Sequence, residues 1–302
     1  MSGSRLSDSA LTALAPVIWG STYLVTTELL PPDRPLLAST MRALPAGLIL
    51  LAIGRTLPRG VWWWRSLVLG VLNIGAFFYL LFVAAYHLPG GVAALMTTVQ
   101  PMIVLVLSAL LLKDRIRPVH VAACVLGAAG VALLVLQPDA GLDAVGLAAG
   151  LLAAVSMASG IVLTKHWQRP ARVGLLTFTG WQLTVGGLVL LPFTLLGEGL
   201  PGSVTADNLA GFAYLGLVGA LFAYSIWFRG VQRLPALAVS FLGFGSPLAA
   251  TLLGYFVLDQ ALSPLQVVGA LTVVAAVVLS QPRPTRRAAA PSEERSETPV
   301  AS

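Results

Sequence analysis

Apolar stretches of about twenty residues follow one another along this chain, set apart by short links rich in charge, proline or glycine. About 20 mostly apolar residues cross a bilayer as a helix. Ten stretches qualify: 9–29, 36–54, 66–86, 91–112, 118–136, 145–164, 173–196, 209–228, 236–258 and 264–281. Links as short as His87–Gly90 and Asp259–Ser263 make neighbouring spans antiparallel hairpins. The pattern predicts an all-α polytopic membrane protein with ten transmembrane helices.

The prolines add a second pattern. Leu88-Pro89, Pro101, Pro118 and Val121 recur without a gap as Leu234-Pro235, Pro247, Pro264 and Val267. Further matches follow, the first at the same 146-residue offset and the others at shifted ones. Phe78 and Phe82 answer to Tyr224 and Phe228, Ala46-Gly47-Leu48 to Gly186-Gly187-Leu188, and Val17 to Val155. This is an internal duplication. It divides the chain into a five-helix unit at 1–137, a second at 138–281, and a polar tail at 282–302 whose Pro, Ala and Ser content predicts cytoplasmic disorder. Five spans per unit is odd, so the two copies enter the membrane upside down relative to each other, as inverted five-helix repeats.

Charge supports the count. With the N-terminus in the cytoplasm, 16 of the 18 Lys and Arg fall on the cytoplasmic side, including Arg229 and Arg233 after the eighth stretch. Arg34 lies opposite and Arg42 lies within a span. Such asymmetry predicts cytoplasmic N- and C-termini in a cell inner (plasma) membrane. The net charge of +6 is placed as loop clusters, so it indicates a lipid bilayer partner and not nucleic acid. Only 10% of residues are charged and 57% are hydrophobic, which leaves little for a soluble domain. The apolar run after MSGSRLSDSA reads as the first span rather than a cleaved signal. Cys124 stands alone and His87, His120 and His166 are scattered, so no metal site and no cofactor is predicted.

Polar and aromatic residues inside spans are the candidates for function. Pro101 and Pro247 fall mid-span. Each would release the carbonyl four residues back, that of Thr97 and that of Gly243. An unsatisfied carbonyl in lipid is costly, so it must face protein, water or ligand. Gln100 and Ser246 sit beside the prolines at matching repeat positions. Trp19, Tyr79, Trp181, Tyr224 and Trp227 could form an aromatic wall. Trp62, Trp63 and Trp64, next to Arg59 and Arg65, read as an interfacial belt. Arg42 is the clear intramembrane charge, able to bind an anionic group or to snorkel outward. Its repeat counterpart is Gln182, and Asn73 is a further polar candidate. Gly146, Gly150, Ala154 and Ala158 form a small-residue stripe suited to close helix packing.

The chain resembles the EamA branch of the drug/metabolite transporter superfamily. The resemblance rests on Trp19-Gly20-Ser21, Arg42, the run Leu88 to Leu112 through Pro101, the matching run Leu234 to Leu258, and Gly269. It covers residues 1–281, and 174–192 is similar to metabolite- and amino-acid-exporting members. It implies a ten-helix bundle that exports a small metabolite, amino acid or drug-like solute by alternating access. Small multidrug relatives in the superfamily carry a glutamate deep in the first helix. Here Trp19, Gly20 and Ser21 occupy that depth, and Glu28 lies at the span's outer end, so that form of proton coupling is not expected.

Other readings are a sugar-nucleotide or phosphate-ester exchanger of the same superfamily, a channel or scaffold, and a membrane-embedded enzyme. Phosphates call for several cavity cations. Only Arg42 qualifies, which favours neutral, zwitterionic or cationic solutes. No GxxxxGK[ST], HExxH or nucleophile elbow occurs, so the chain is read as a non-enzyme. Monomer and homodimer remain equally open from the sequence.

Overall fold

The computed structural model describes residues 2–88, 96–135, 143–257 and 263–280, all in helices and their connections, with no strand among them. We name ten apolar helices: α1 (Leu6–Leu29), α2 (Pro35–Gly54), α3 (Trp62–His87), α4 (Gln100–Leu111), α5 (Pro118–Leu133), α6 (Ala144–Trp167), α7 (Leu175–Glu198), α8 (Ala206–Arg233), α9 (Ala236–Leu253) and α10 (Pro264–Ser280). Seven are long and apolar enough to cross a membrane, while α4, α5 and α10 are apolar but shorter. The chain is thus a multi-pass membrane protein. Residues 89–95, with the repeat's Pro89 and the predicted start of the fourth span, 136–142, 258–262 and the tail from 281 onward lie outside the described residues.

Helix ends follow from local chemistry. Asp143 caps α6, its carboxylate accepting the Gly146 amide at 2.8 Å. Thr205 and Asn208 form a reciprocal capping box at the start of α8. At α2 the cap comes from another helix. The Glu198 carboxylate, at the end of α7, accepts the Leu36 and Leu37 amides at 2.6 and 2.8 Å. A carboxylate at a helix N-terminus satisfies orphan amides and complements the helix dipole.

The same two helices cross at glycines. A Cβ on Gly47 would stand 2.3 Å from the Thr184 amide nitrogen, and one on Gly187 would stand 2.6 Å from the Leu44 Cβ. Each glycine therefore admits the backbone of the opposite helix, three residues before the other glycine. Lipid provides no hydrophobic drive between helices, so such close approach is how they hold together. A Thr40–Thr194 hydroxyl bond at 2.7 Å joins α2 to α7 nearer the Glu198 end.

The remaining contacts show a regularity. Helix α2 packs on α7, α5 on α10, and α4 meets α9. α1 packs on α8 and α9, as α6 packs on α3 and α4; α2 packs on α8, as α7 packs on α3. Exchanging each helix for the one five places away leaves this set of pairings unchanged.

Three segments wind as π-helix: Val71–Gly75 in α3, Thr194–Glu198 ending α7, and Tyr214–Phe222 in α8. The first and third stand at matching repeat positions. α8 also runs to Arg233, past the end predicted at 228. The correction has a physical reason: Asp8 of α1 holds Arg229 at 2.6 Å and Arg233 at 3.4 Å, so these charges are paired on the helix instead of lying in a loop. The stripe in α6 packs as its small residues suggest, with Gly146 against Leu88 and Gly150 against Met96.

Candidate functional site

Helical structure is interrupted at matching places in the two halves. The seven-residue helix Ala236–Leu242 stops at the turn of Gly243 and Phe244, and a new helix runs Gly245–Val257. In the first half a turn at Thr98 and Val99 precedes α4, which starts at Gln100 with Pro101 in its first turn. The sequence predicted kinked continuous helices with released carbonyls. Instead each proline starts a helix, where its fixed φ and missing N–H cost nothing. The Gly243 carbonyl is not released either, since it accepts the Ser246 amide at 3.0 Å. A tight turn satisfies it locally, as a bilayer interior requires.

Between the breaks lies a cavity of about 60 Å³, lined by Trp19, Thr22, Arg42, Phe77, Leu81, Thr97, Gln100, Met157, Trp227, Gly243 and Ser246. At ~10–15 Å³ per water it has room for roughly four to six. Most of the lining comes in repeat pairs. Leu81 and Trp227, Thr97 and Gly243, and Gln100 and Ser246 are each 146 residues apart, and Trp19 and Met157 share the offset of Val17 and Val155.

Arg42 is 1% exposed and does not snorkel. Its Nη2 donates to the Gly219 carbonyl at 3.4 Å, and its guanidinium carbon stands 4.5 Å from the Phe78 ring centre. Trp19 Nε1 donates to the same Gly219 carbonyl at 2.9 Å. Gly219 lies in the π-helical turn of α8, which supplies one carbonyl to two donors. An aromatic chain backs this corner. Phe78 meets Tyr224 with ring centres 5.5 Å apart, Tyr224 meets Trp19 at 4.8 Å, and Trp19 meets Trp227 at 5.0 Å. Edge and tilted contacts of this kind fix ring orientation and give a rigid apolar wall.

Gln182 and Asn73, the partners of that corner in the other half, are brought together but away from the cavity. Asn73 Nδ2 donates to Gln182 Oε1 at 2.8 Å and to Thr164 Oγ1 at 3.2 Å, all buried. Asn73 is 146 residues before Gly219, so Gln182 meets Asn73 as Arg42 meets Gly219. Gly160 makes room for the amide, since a Cβ there would stand 2.0 Å from Asn73 Oδ1.

Seven sequence-predicted residues thus line the cavity: Trp19, Arg42, Thr97, Gln100, Trp227, Gly243 and Ser246. Tyr224 stands behind Trp19, and Pro101 and Pro247 are buried beside lining residues. Asn73 and Gln182 form the separate amide cluster. Tyr79 is 37% exposed on the outside of the bundle. Trp181 packs with Trp62 and Phe178 and donates to the Thr56 carbonyl at 2.7 Å, tying α7 to the end of α2. Sequence reasoning missed Thr22, Phe77, Leu81 and Met157. For Leu81 a signal existed: the repeat offset that pairs Gln100 with Ser246 pairs it with Trp227.

The model of the EamA-like transporter family matches the chain twice, at residues 9–136 and 144–280. Protein PecM of Dickeya dadantii is 52% identical over 277 residues, covering 92% of each chain. The uncharacterized inner membrane transporter YedA of Escherichia coli K12 is 27% identical over 269 residues, covering 87% of each. One crystal structure superposes with a TM-score of 0.75 over 91% of this chain and 96% of that one, at 22% identity, and so shares its fold.

Proposed function

This chain belongs to the EamA-like transporter family, and from that premise we propose that it is a secondary transporter of the inner membrane that exports a small solute by alternating access through the central cavity. The observation that carries the reading is the make-up of that cavity. Its wall is built from repeat-related residues at two helix breaks, which is where transporters made of inverted repeats bind their solutes.

On this reading the ten helices form two inverted repeats of five, divided near residue 138, with both termini in the cytoplasm. Three observations support it: the helix pairings survive exchange of the halves, the family model matches each half separately, and the cationic loops fall on one side. Two structurally equivalent halves can trade conformations, and that trade would move the opening of the cavity from one face to the other. Export from the cytoplasm is what the family resemblance implies for direction.

Gln100→Leu nearly keeps the volume of the side chain and Ser246→Leu enlarges it, and each places an apolar group in the polar part of the wall. Each is expected to lower solute flux about tenfold or more, the loss of one or two hydrogen bonds to a solute. The measurement compares accumulated extracellular metabolites in cells expressing wild type or variant at equal membrane levels. Unchanged export by both variants contradicts the cavity as the solute site.

A further inference from the structure

Gln100 is 8% exposed and borders the cavity, and its side-chain amide makes no hydrogen bond among the described residues. A buried amide is normally hydrogen-bonded, and one left without partners is costly. Ser246, its match in the other half, also lines the cavity, and its hydroxyl likewise bonds to no described residue. Each break in the helices thus offers the cavity one uncharged group that can both donate and accept.

Helix packing does not account for the open amide. Gln182 is also buried within a span, and there the Asn73 amide donates to its Oε1 at 2.8 Å. Where this fold buries a glutamine for packing, it supplies a second amide as partner. Gln100 faces the cavity instead. Whatever occupies that space must serve the amide, and a solute that displaces water loses affinity unless it reproduces the same hydrogen bonds.

We propose that the transported solute carries an uncharged amide, paired with the Gln100 amide, and an apolar or aromatic body against Trp19, Phe77 and Trp227. This rests on the cavity being the solute site proposed above. An amide answers Gln100 on both sides. Its N–H donates to Oε1, as Asn73 does to Gln182, and its carbonyl accepts from Nε2. A ketone or ester can only accept, which leaves Oε1 unserved, and a carboxylate sets a further acceptor against it. Room for roughly four to six waters, each taking ~30 Å³ of liquid, suits an amide on a single ring.

Benzamide and acetophenone test this, being alike in shape, with an amino group in one where the other has a methyl. Each is titrated into the purified full-length protein in nanodiscs and followed by tryptophan fluorescence, with benzoate as a charged third probe and protein-free nanodiscs as the blank. Wild type is expected to bind benzamide about tenfold more tightly than acetophenone, the cost of leaving one buried acceptor unserved. Gln100→Leu is expected to bring benzamide down to the level of acetophenone. Gln100→Met, unbranched like glutamine, serves as the test if Gln100→Leu fails to fold. Equal binding of benzamide and acetophenone by wild type, tighter binding of benzoate than of benzamide, binding of none, or a preference that survives loss of the Gln100 amide overturns the proposal. Ser246→Leu separates the two readings when wild type shows no amide preference. If it weakens both uncharged probes, the cavity stands and the amide falls. If it changes neither, the cavity reading falls as well.

Discussion

Asn73 joins three helices through one side chain, donating to Gln182 on α7 and Thr164 on α6 from its place on α3. Buried polar groups lose most when one partner is removed and the other is left unsatisfied. Asn73→Leu is therefore expected to lower stability by roughly 0.6–2 kcal/mol, the range measured for side-chain bonds between membrane helices. Asn73→Leu combined with Gln182→Leu removes both partners and is expected to restore much of that loss. Thermal unfolding midpoints in detergent give both numbers, and a double variant worse than the sum of the singles contradicts the pairing. At this scale the sequence was only partly legible. Trp19, Arg42, Gln100 and Ser246 stood out because polar or bulky groups are rare inside spans. Whether a residue faces the cavity or the outside is set by helix rotation, and two positions turn it by about 200°. Phe77 lines the cavity and Tyr79, two residues on, is exposed, with nothing in a uniformly apolar run to tell them apart.

The α2–α7 pair is the element whose geometry depends most on single residues. Gly47 and Gly187 each admit the opposite backbone at distances no side chain could share. Gly47→Val is expected to force the pair apart and cost about 1–3 kcal/mol or more. Leu48→Val, one position on and half-exposed on the outer face, is expected to cost less than about 0.5 kcal/mol. Equal unfolding midpoints for the two variants would contradict the crossing. Element existence was plain in the sequence because length and apolarity decide it, and nine of the predicted segments begin within about four residues of the observed helices. What the sequence could not show was how proline acts. Pro101 and Pro247 fit a kink and a helix start equally well, and the choice depended on tight turns at Val99 and Gly243. The π-helical turns carry no local signal either. They insert a residue where Arg42 and Asn73 need a neighbour across the bundle.

Across the whole molecule the main helix pairings recur when each helix is exchanged for the one five places away, and the cavity lies at the junction of α1, α2, α3, α4, α6, α8 and α9. The ion pairs of Asp8 with Arg229 and Arg233 lie at one end of that junction, joining α1 to α8. The bond of Arg34 to the Glu198 and Gly199 carbonyls lies at the ends of α2 and α7. The recurring prolines were legible in the sequence, while the polar difference between the matching positions, Arg42 facing a cavity and Gln182 sealed by Asn73, became visible only in three dimensions. Alternating access makes one demand of any such cavity: each face of the membrane must reach it in turn. Ser246→Cys in a Cys124→Ser background leaves one thiol, on the cavity wall, and it is nearly isosteric with the native side chain. Labelling with a membrane-impermeant maleimide in right-side-out and in inside-out vesicles tests the claim directly. The account predicts labelling from both faces, and labelling from one face alone, or from neither, would contradict it.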